Sequence, residues 1–147
     1  MKKIALLAAI SVMLVASVGA IAASAMTKGS QSDMSVDLKP VNSSGVSGVV
    51  DLHQRHHHSK KSGTQISVSA QGLQPANQYV SLTYDNHTCA LEPYSSKDII
   101  GGTYTANQDG TGTTSGHVKD NLNKIDSVSV RSADGYTLLA CADVHPS

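Results

Sequence analysis

Period-two alternation of apolar and polar side chains is the feature that most restricts the fold of this chain. Ile66, Val68 and Ala70 alternate with polar neighbours, and Val128 and Val130 do the same. Successive side chains of a β-strand point to opposite faces, so this pattern predicts half-buried strands, and no segment shows the stripe of an amphipathic helix. Similar runs are Val36 and Leu38, Val46 to Leu52, Val80 and Leu82, and a nearly continuous run from Thr137 to Val144.

Turn-forming residues separate these runs. They are Ser43-Ser44-Gly45, Ser62-Gly63, Asp109-Gly110 and Asp134-Gly135. Seven or eight short strands at this spacing predict an all-β fold, either an antiparallel sandwich or a Greek-key barrel. The chain has no Trp and no Phe. Its core is therefore expected to consist of Val, Ile, Leu, Ala and Tyr, which suits a thin sandwich or a small barrel.

The first 25 residues predict export. Lys2 and Lys3 precede an apolar run that ends in Ala23-Ser24-Ala25, the small-x-small pattern that a signal peptidase recognises. The alternative is an uncleaved anchor, because the apolar run is almost long enough to span a bilayer. We expect a signal peptide over residues 1–25, a flexible leader over 26–35 and one domain over 36–147. The mature protein is then periplasmic or secreted.

Charge excludes one class of partner. Loss of Lys2 and Lys3 lowers the basic count from 11 to 9 against 11 acidic residues, so the mature chain carries a net charge of −2. A nucleic-acid binder would need a basic surface, and none is indicated. No membrane-spanning stretch is expected after cleavage. We expect a macromolecular partner, but the composition identifies neither that partner nor the oligomeric state.

The chain has two cysteines, Cys89 and Cys141. In an oxidising compartment an isolated pair most simply forms one disulfide, and the alternative is two free thiols. Such a bond would close a loop of about fifty residues and stabilise the fold by roughly 3–4 kcal/mol on the chain-entropy model.

A histidine-rich segment lies between two of the strand runs, so it is expected to form an exposed hairpin loop. Imidazoles in this density favour copper and zinc. Positive charge at Arg55, Lys60 and Lys61 opposes a bound cation, so the alternative is a soluble loop that binds metal only incidentally. In acid the same loop would become strongly basic and could hold an anionic partner. The candidate ligands are His53, His56, His57 and His58.

Several segments together resemble the copper/zinc superoxide dismutases. They are Gly45 to Leu52, Gly72 to Thr83, Cys89 after that strand, Ser127 to Arg131, and Leu138 to Val144 around Cys141. These segments follow the family's order and cover most of residues 36–144. The resemblance implies an eight-stranded antiparallel Greek-key β-barrel and a disulfide between Cys89 and Cys141.

The departures from the family concern its metal site. Ser81, Thr83 and Arg131 stand where the resemblance places copper histidines, and Leu138 stands where the family has its superoxide-guiding arginine. The segment from Ala90 to Tyr104 has no histidine, although the family places its bridging and zinc ligands there. Dismutation needs a redox metal that imidazoles can hold. We therefore expect no cofactor at the ancestral site and no dismutase activity.

Three functional hypotheses follow. The leading one is an exported, non-enzymatic binding or structural module whose partner contacts a barrel face formed by Ser81, Thr83 and Arg131. The alternative is an extracytoplasmic copper or zinc protein that uses the histidine-rich loop, and the third is an enzyme of unknown type. Two further histidines, His87 and His145, lie close in sequence to the two cysteines; we expect two exposed loop histidines, and the alternative is a small site beside the disulfide where the two approach each other.

Overall fold

The computed structural model describes residues 33–55 and 63–146. Apart from a 3-10 turn at Leu122–Lys124, every regular element in these ranges is a β-strand. None of the helical structure in the described ranges is long and apolar enough to cross a membrane. The strands are β1 (Asp33–Pro40), β2 (Ser47–Arg55), β3 (Gly63–Gln71), β4 (Gln78–Tyr84), β5 (Ile99–Thr105), β6 (Gly112–Val118), β7 (Ser127–Ser132) and β8 (Leu138–Asp143).

The eight strands form one antiparallel sheet in the order β5-β4-β7-β8-β1-β2-β3-β6. Strand β7 lies beside β4, the first of the consecutive strands β4, β5 and β6, which is the Greek-key arrangement. The sheet curls until β5 and β6 touch. The predicted all-β Greek-key barrel with one disulfide is therefore confirmed.

The interior of the barrel is filled by short apolar side chains. Alternate residues of each strand point inward, as Val50 and Leu52 do on β2 and Ile66 and Val68 do on β3. One end is closed by Leu73, which the left-handed turn at Gly72 directs into the core. The other end is closed by residues of the 3-10 turn and by Ile125. The core thus contains the residue types that the composition predicts.

A glycine contact closes the barrel between β5 and β6. A Cβ atom added at Gly116 would lie 2.3 Å from the backbone nitrogen of Gly101, and one added at Gly101 would lie 2.4 Å from the Ser115 carbonyl oxygen. The Thr114 hydroxyl donates a hydrogen bond of 2.9 Å to the Ile100 carbonyl across the same contact. Only glycine permits such a close approach of two backbones.

A second, smaller apolar cluster lies on the outer side of the sheet. It contains Val80, Leu82, Tyr84 and Cys89, and the segment 85–98 between β4 and β5 covers it. The Cys89–Cys141 disulfide, with a Cα–Cα distance of 5.9 Å, joins this segment to β8. Leu82 is fully buried although its neighbours Ser81 and Thr83 face the interior. Strand β4 is consequently buried on both faces.

The first strand begins earlier than the sequence predicts. Asp33 pairs with His53 and Ser35 pairs with Asp51, so residues 33–35 of the expected leader belong to β1. The Ser35 hydroxyl also donates a hydrogen bond of 2.7 Å to the Asp51 carboxylate. Polar side chains are compatible with this strand because they lie on its exposed face. The leader boundary at residue 35 is therefore corrected, and the expected signal peptide lies outside the described residues.

Candidate functional site

Ser81 and Thr83 are buried components of the barrel, although Thr83 also reaches the wall of a cleft at one end of it. Ser81 has no exposed surface, and its hydroxyl lies 3.3 Å from the Tyr104 hydroxyl. The Thr83 hydroxyl donates to the Asp98 carbonyl at 3.3 Å. Their cross-strand partners are Val130 and Val128 of the barrel core. Both hydroxyls are thus used within the scaffold.

Arg131 lies on the opposite face of the same sheet, where it is 5 % exposed. Its Nε donates to the Tyr84 hydroxyl at 2.8 Å, and its two terminal nitrogens donate to the carbonyl oxygens of Tyr136 and Cys89 at 2.6 Å. The guanidinium carbon also lies 5.7 Å from the centre of the Tyr84 ring. Arg131 therefore fastens the disulfide-bearing segment to the barrel wall.

The prediction that Ser81, Thr83 and Arg131 share a binding face is wrong. Arg131 pairs with Val80, whereas Ser81 pairs with Val130, and directly paired residues lie on the same side of a sheet. The arginine and the two hydroxyls are therefore on opposite sides. Leu138 pairs with Arg131 and packs against the outer apolar cluster. All four positions serve packing.

A polar cleft of about 690 Å³ lies at one end of the barrel, beside the segment 85–98. Asp85 and Glu92 lie together in its wall, and burial and the neighbouring Asp85 carboxyl raise the pKa of Glu92 above its usual value. Lys124 contributes a positive charge to the same wall. Tyr94 and Leu91 expose apolar surface on this segment. The cleft contains carboxylates and two phenols, and no imidazole is among its lining side chains.

The His53 ring is oriented by its neighbour on β1. Its Nδ1 lies 3.0 Å from the Asp33 carboxylate, and about half of each side chain is exposed. An imidazole that donates Nδ1–H to a carboxylate keeps the Nε2 lone pair for a metal, as histidine ligands of metal ions commonly do. His53 lies within β2, two residues before the strand ends at Arg55, so residues 53–55 of the expected loop over 53–58 belong to the strand. The pair is the most specific feature of this surface.

A second imidazole lies on the same outer face. Asp33, His53, Gln65 and His117 occupy one row across strands β1, β2, β3 and β6, because each pairs directly with the next. The His117 ring lies over Gly63, where an added Cβ would approach its Cε1 and Nε2 atoms to 2.7 Å. His117 was expected only as a surface histidine, because the repetitive Gly and Thr residues of β6 give no pairing register that would place it beside Gln65.

The other histidines have separate partners. His87 Nδ1 lies 2.8 Å from the Asp143 carboxylate, and this contact raises the pKa of His87 above its usual value. His145 Nε2 lies 3.1 Å from the carbonyl oxygen of Leu122, which is the hydrogen-bond acceptor. Among the described residues, no hydrogen bond joins His87 to His145, and each imidazole has its own partner.

The structure leaves the proposed loop ligands untested. His56, His57 and His58 lie outside the described residues, and His53 is the one predicted ligand within them. Over residues 33–55 and 63–146, no group of three His, Cys, Asp or Glu side chains is arranged to hold a metal ion. A metal at His53 would therefore need donors from outside those ranges or donors drawn together on binding.

Comparisons with known proteins give no further guidance to the site. No family model matches the chain, and no curated protein is significantly similar to it. The likeness to the copper/zinc dismutases stays a resemblance of short motifs.

Proposed function

We propose that this protein is an exported, non-enzymatic binding domain whose ligand is a divalent transition metal, copper or zinc. The observation that carries the proposal is the hydrogen bond between Asp33 and His53. It prepares one imidazole for coordination at the start of a segment with three more histidines. The candidate ligands are His53, His56, His57 and His58.

The donor set favours these two metals. Imidazole nitrogen binds zinc and copper(II) well, whereas calcium and magnesium prefer oxygen ligands. Arg55 opposes a cation, and the nearby carboxylates of Asp33 and Asp51 offset part of its charge. Both cysteines are in the disulfide and supply no thiolate.

The positions that match the copper ligands in the resemblance to the dismutases support the non-enzymatic part of the proposal. Ser81, Thr83 and Arg131 are each less than 10 % exposed, and their polar atoms are bonded within the barrel. They stabilise the scaffold that presents the histidines. A macromolecular partner would then receive or deliver the metal at the exposed face of β1, β2, β3 and β6.

The proposal is tested by calorimetry. Zinc or copper(II) is titrated into the untagged mature protein in the presence of a competing chelator. We expect stoichiometric binding that the chelator does not remove. Replacing all four candidate ligands by Ala should abolish it, and Asp33→Asn should weaken it about 10- to 100-fold because the Nε2 lone pair is no longer assured.

His87→Gln is the matched control, since His87 is also an exposed imidazole bonded through Nδ1 to a carboxylate. It should bind as tightly as the wild type. Equal losses in His87→Gln and Asp33→Asn would show that the metal is held by surface imidazoles in general. Binding that the chelator strips from the wild type would reject a metal-handling role.

A further inference from the structure

We propose that the polar cleft and the segment 85–98 form a docking surface for an exposed arginine of a partner protein. This surface contains none of the candidate metal ligands. Three features of the described residues carry the inference: carboxylates that line the cleft, apolar surface beside them, and a segment that is fixed in place without regular secondary structure.

The protein itself does not compensate the negative charge of the polar cleft. Within residues 33–55 and 63–146, the carboxylates in contact with a basic group are those of Asp33 and Asp143, and neither lines the cleft. Lys124 is the one basic side chain among the described lining residues, and it forms no ion pair with them. The cleft therefore suits a cation. Its four carboxylates belong to Asp85, Glu92, Asp98 and Asp120.

Two of these carboxylates stand side by side, which favours a guanidinium over an ammonium group. The Asp85 backbone N–H donates to Glu92 Oε1 at 3.4 Å, and burial and the Asp85 carboxyl raise the pKa of Glu92. A cation beside the pair favours the charged form of both. A guanidinium donates to two carboxylate oxygens in parallel, whereas an ammonium is a single point of charge. The Tyr94 ring lines the same cleft and offers a face on which a guanidinium stacks.

Apolar surface is concentrated beside the polar cleft. Leu91 is 51 % exposed and Tyr94 is 36 % exposed, and the one comparable large apolar side chain elsewhere in the described ranges is Val49. Pro93 lies between Leu91 and Tyr94 in sequence and lines the cleft. Exposed apolar groups next to a charged pocket are typical of protein-binding surfaces, where apolar contact contributes affinity and charge contributes specificity.

The segment that carries these side chains is fixed at several points. The disulfide and the Arg131 guanidinium hold Cys89, and the His87 imidazole contacts a carboxylate of β8. Near the other end, the Asp98 carboxylate accepts a hydrogen bond of 2.7 Å from the Ser95 backbone N–H and closes a turn. A surface that is already ordered loses little conformational entropy on binding, so this fixation favours a docking role.

The arginine is assigned to a different protein because a second copy of this chain has little to offer. The sequence contains two arginines, Arg55 and Arg131. Arg131 is buried in its own barrel, which leaves Arg55 as the exposed one. Association between copies would therefore have to use Arg55, and Arg55→Met distinguishes this case from a separate partner.

Selection of binding peptides tests the inference. Short random peptides displayed on phage are selected on the immobilised mature protein, and the consensus peptide is then titrated by fluorescence anisotropy. We expect the consensus to contain an arginine next to an apolar residue. Replacing that arginine with citrulline, which keeps the shape and removes the charge, should lower the affinity about tenfold or more.

Variants of the protein locate the binding surface. The double variant Asp85→Asn, Glu92→Gln should lose about as much affinity as the citrulline peptide does. Its matched control is Asp37→Asn, Asp134→Asn, which removes two exposed negative charges elsewhere and should bind as the wild type does.

The apolar part of the surface has a control of the same kind. Tyr94→Ser should weaken peptide binding, whereas Val49→Ser removes a similarly exposed apolar side chain from β2 and should not. Losses in the Asp85, Glu92 double variant and in Tyr94→Ser, without losses in their controls, support the docking surface.

Three results would overturn the inference. The first is a selection that yields no arginine-bearing consensus. The second is wild-type affinity in the Asp85, Glu92 double variant or for the citrulline peptide. The third is association of the protein with itself, measured by light scattering and lost in Arg55→Met, which would make the occupant a second copy.

Discussion

Replacing Arg131 with Met should remove about a third of the stability of a small domain. The methionine fills the space of the aliphatic stem but donates no hydrogen bond. The variant therefore leaves the carbonyl oxygens of Cys89 and Tyr136 without their donor. No acidic side chain pairs with Arg131 among the described residues, so its role is to supply donors to neutral acceptors.

The magnitude follows from the two orphaned carbonyls. Each buried acceptor left without a partner costs about 1–3 kcal/mol, which gives about 2–6 kcal/mol for two. Removal of a buried charge returns part of this cost. We expect a net loss of about 3 kcal/mol, and with a denaturant slope of about 1.5 kcal/mol/M the urea midpoint falls by about 2 M.

Urea unfolding of the oxidised protein, followed by circular dichroism, measures this shift. Arg55→Met is the control, since Arg55 is exposed and its replacement should change the free energy of unfolding by less than about 0.5 kcal/mol. Arg131→Lys should fall between the two, because a single ammonium group cannot reach three acceptors in the geometry of a fork. A midpoint for Arg131→Met within about 0.5 M of the wild type would refute the reasoning.

Three further predictions concern stability. Because the Asp143 contact raises the pKa of His87 in the folded protein, its contribution should be fully present below the unfolded pKa and disappear as the pH rises through the folded value. The Tm difference between wild type and His87→Gln should therefore be largest in acid and vanish in alkali, and a pH-independent difference would contradict this. Gly116→Ala should destabilise by about 1–3 kcal/mol in urea, since the new methyl group meets the Gly101 backbone; an unchanged midpoint would show that the two strands separate freely. Replacing Cys89 and Cys141 with Ala should cost about 2–5 kcal/mol in the same assay, and a smaller loss would mean that Arg131 alone holds the segment.

Much of the fold could be predicted because six strands carry a clear pattern. Runs such as Ile66 to Ala70 bury one face and expose the other, and the disulfide follows from the cysteine count. Strand β5 was not located, and β6 was recognised only as a Gly- and Thr-rich strand around His117, because Gly101, Gly102 and Gly116 replace side chains that would show alternation. Gly101 and Gly116 are required because the two backbones lie in contact there, and a hydropathy pattern does not show such contacts.

The candidate site was predicted less completely than the fold, because β4 does not show which of its faces points outward. Both faces of this strand are buried, so alternation could not distinguish interior from exterior, and Ser81 and Thr83 were expected at an exposed face with Arg131. The pairing of Val80 with Arg131 resolves the two sides. The Asp33–His53 and Gln65–His117 neighbours likewise depend on strand register, which a single sequence does not give.

The contact between β5 and β6 has a consequence for motion. The other neighbouring strands are joined by backbone pairing, which is short between β1 and β8, whereas these two are held by close glycine contacts and one threonine hydroxyl. Opening there breaks fewer hydrogen bonds than opening between strands with long ladders, such as β2 and β3. Amide protons of β5 and β6 should therefore exchange with solvent through a low-energy local opening, while those of β7 and β8 exchange only on global unfolding.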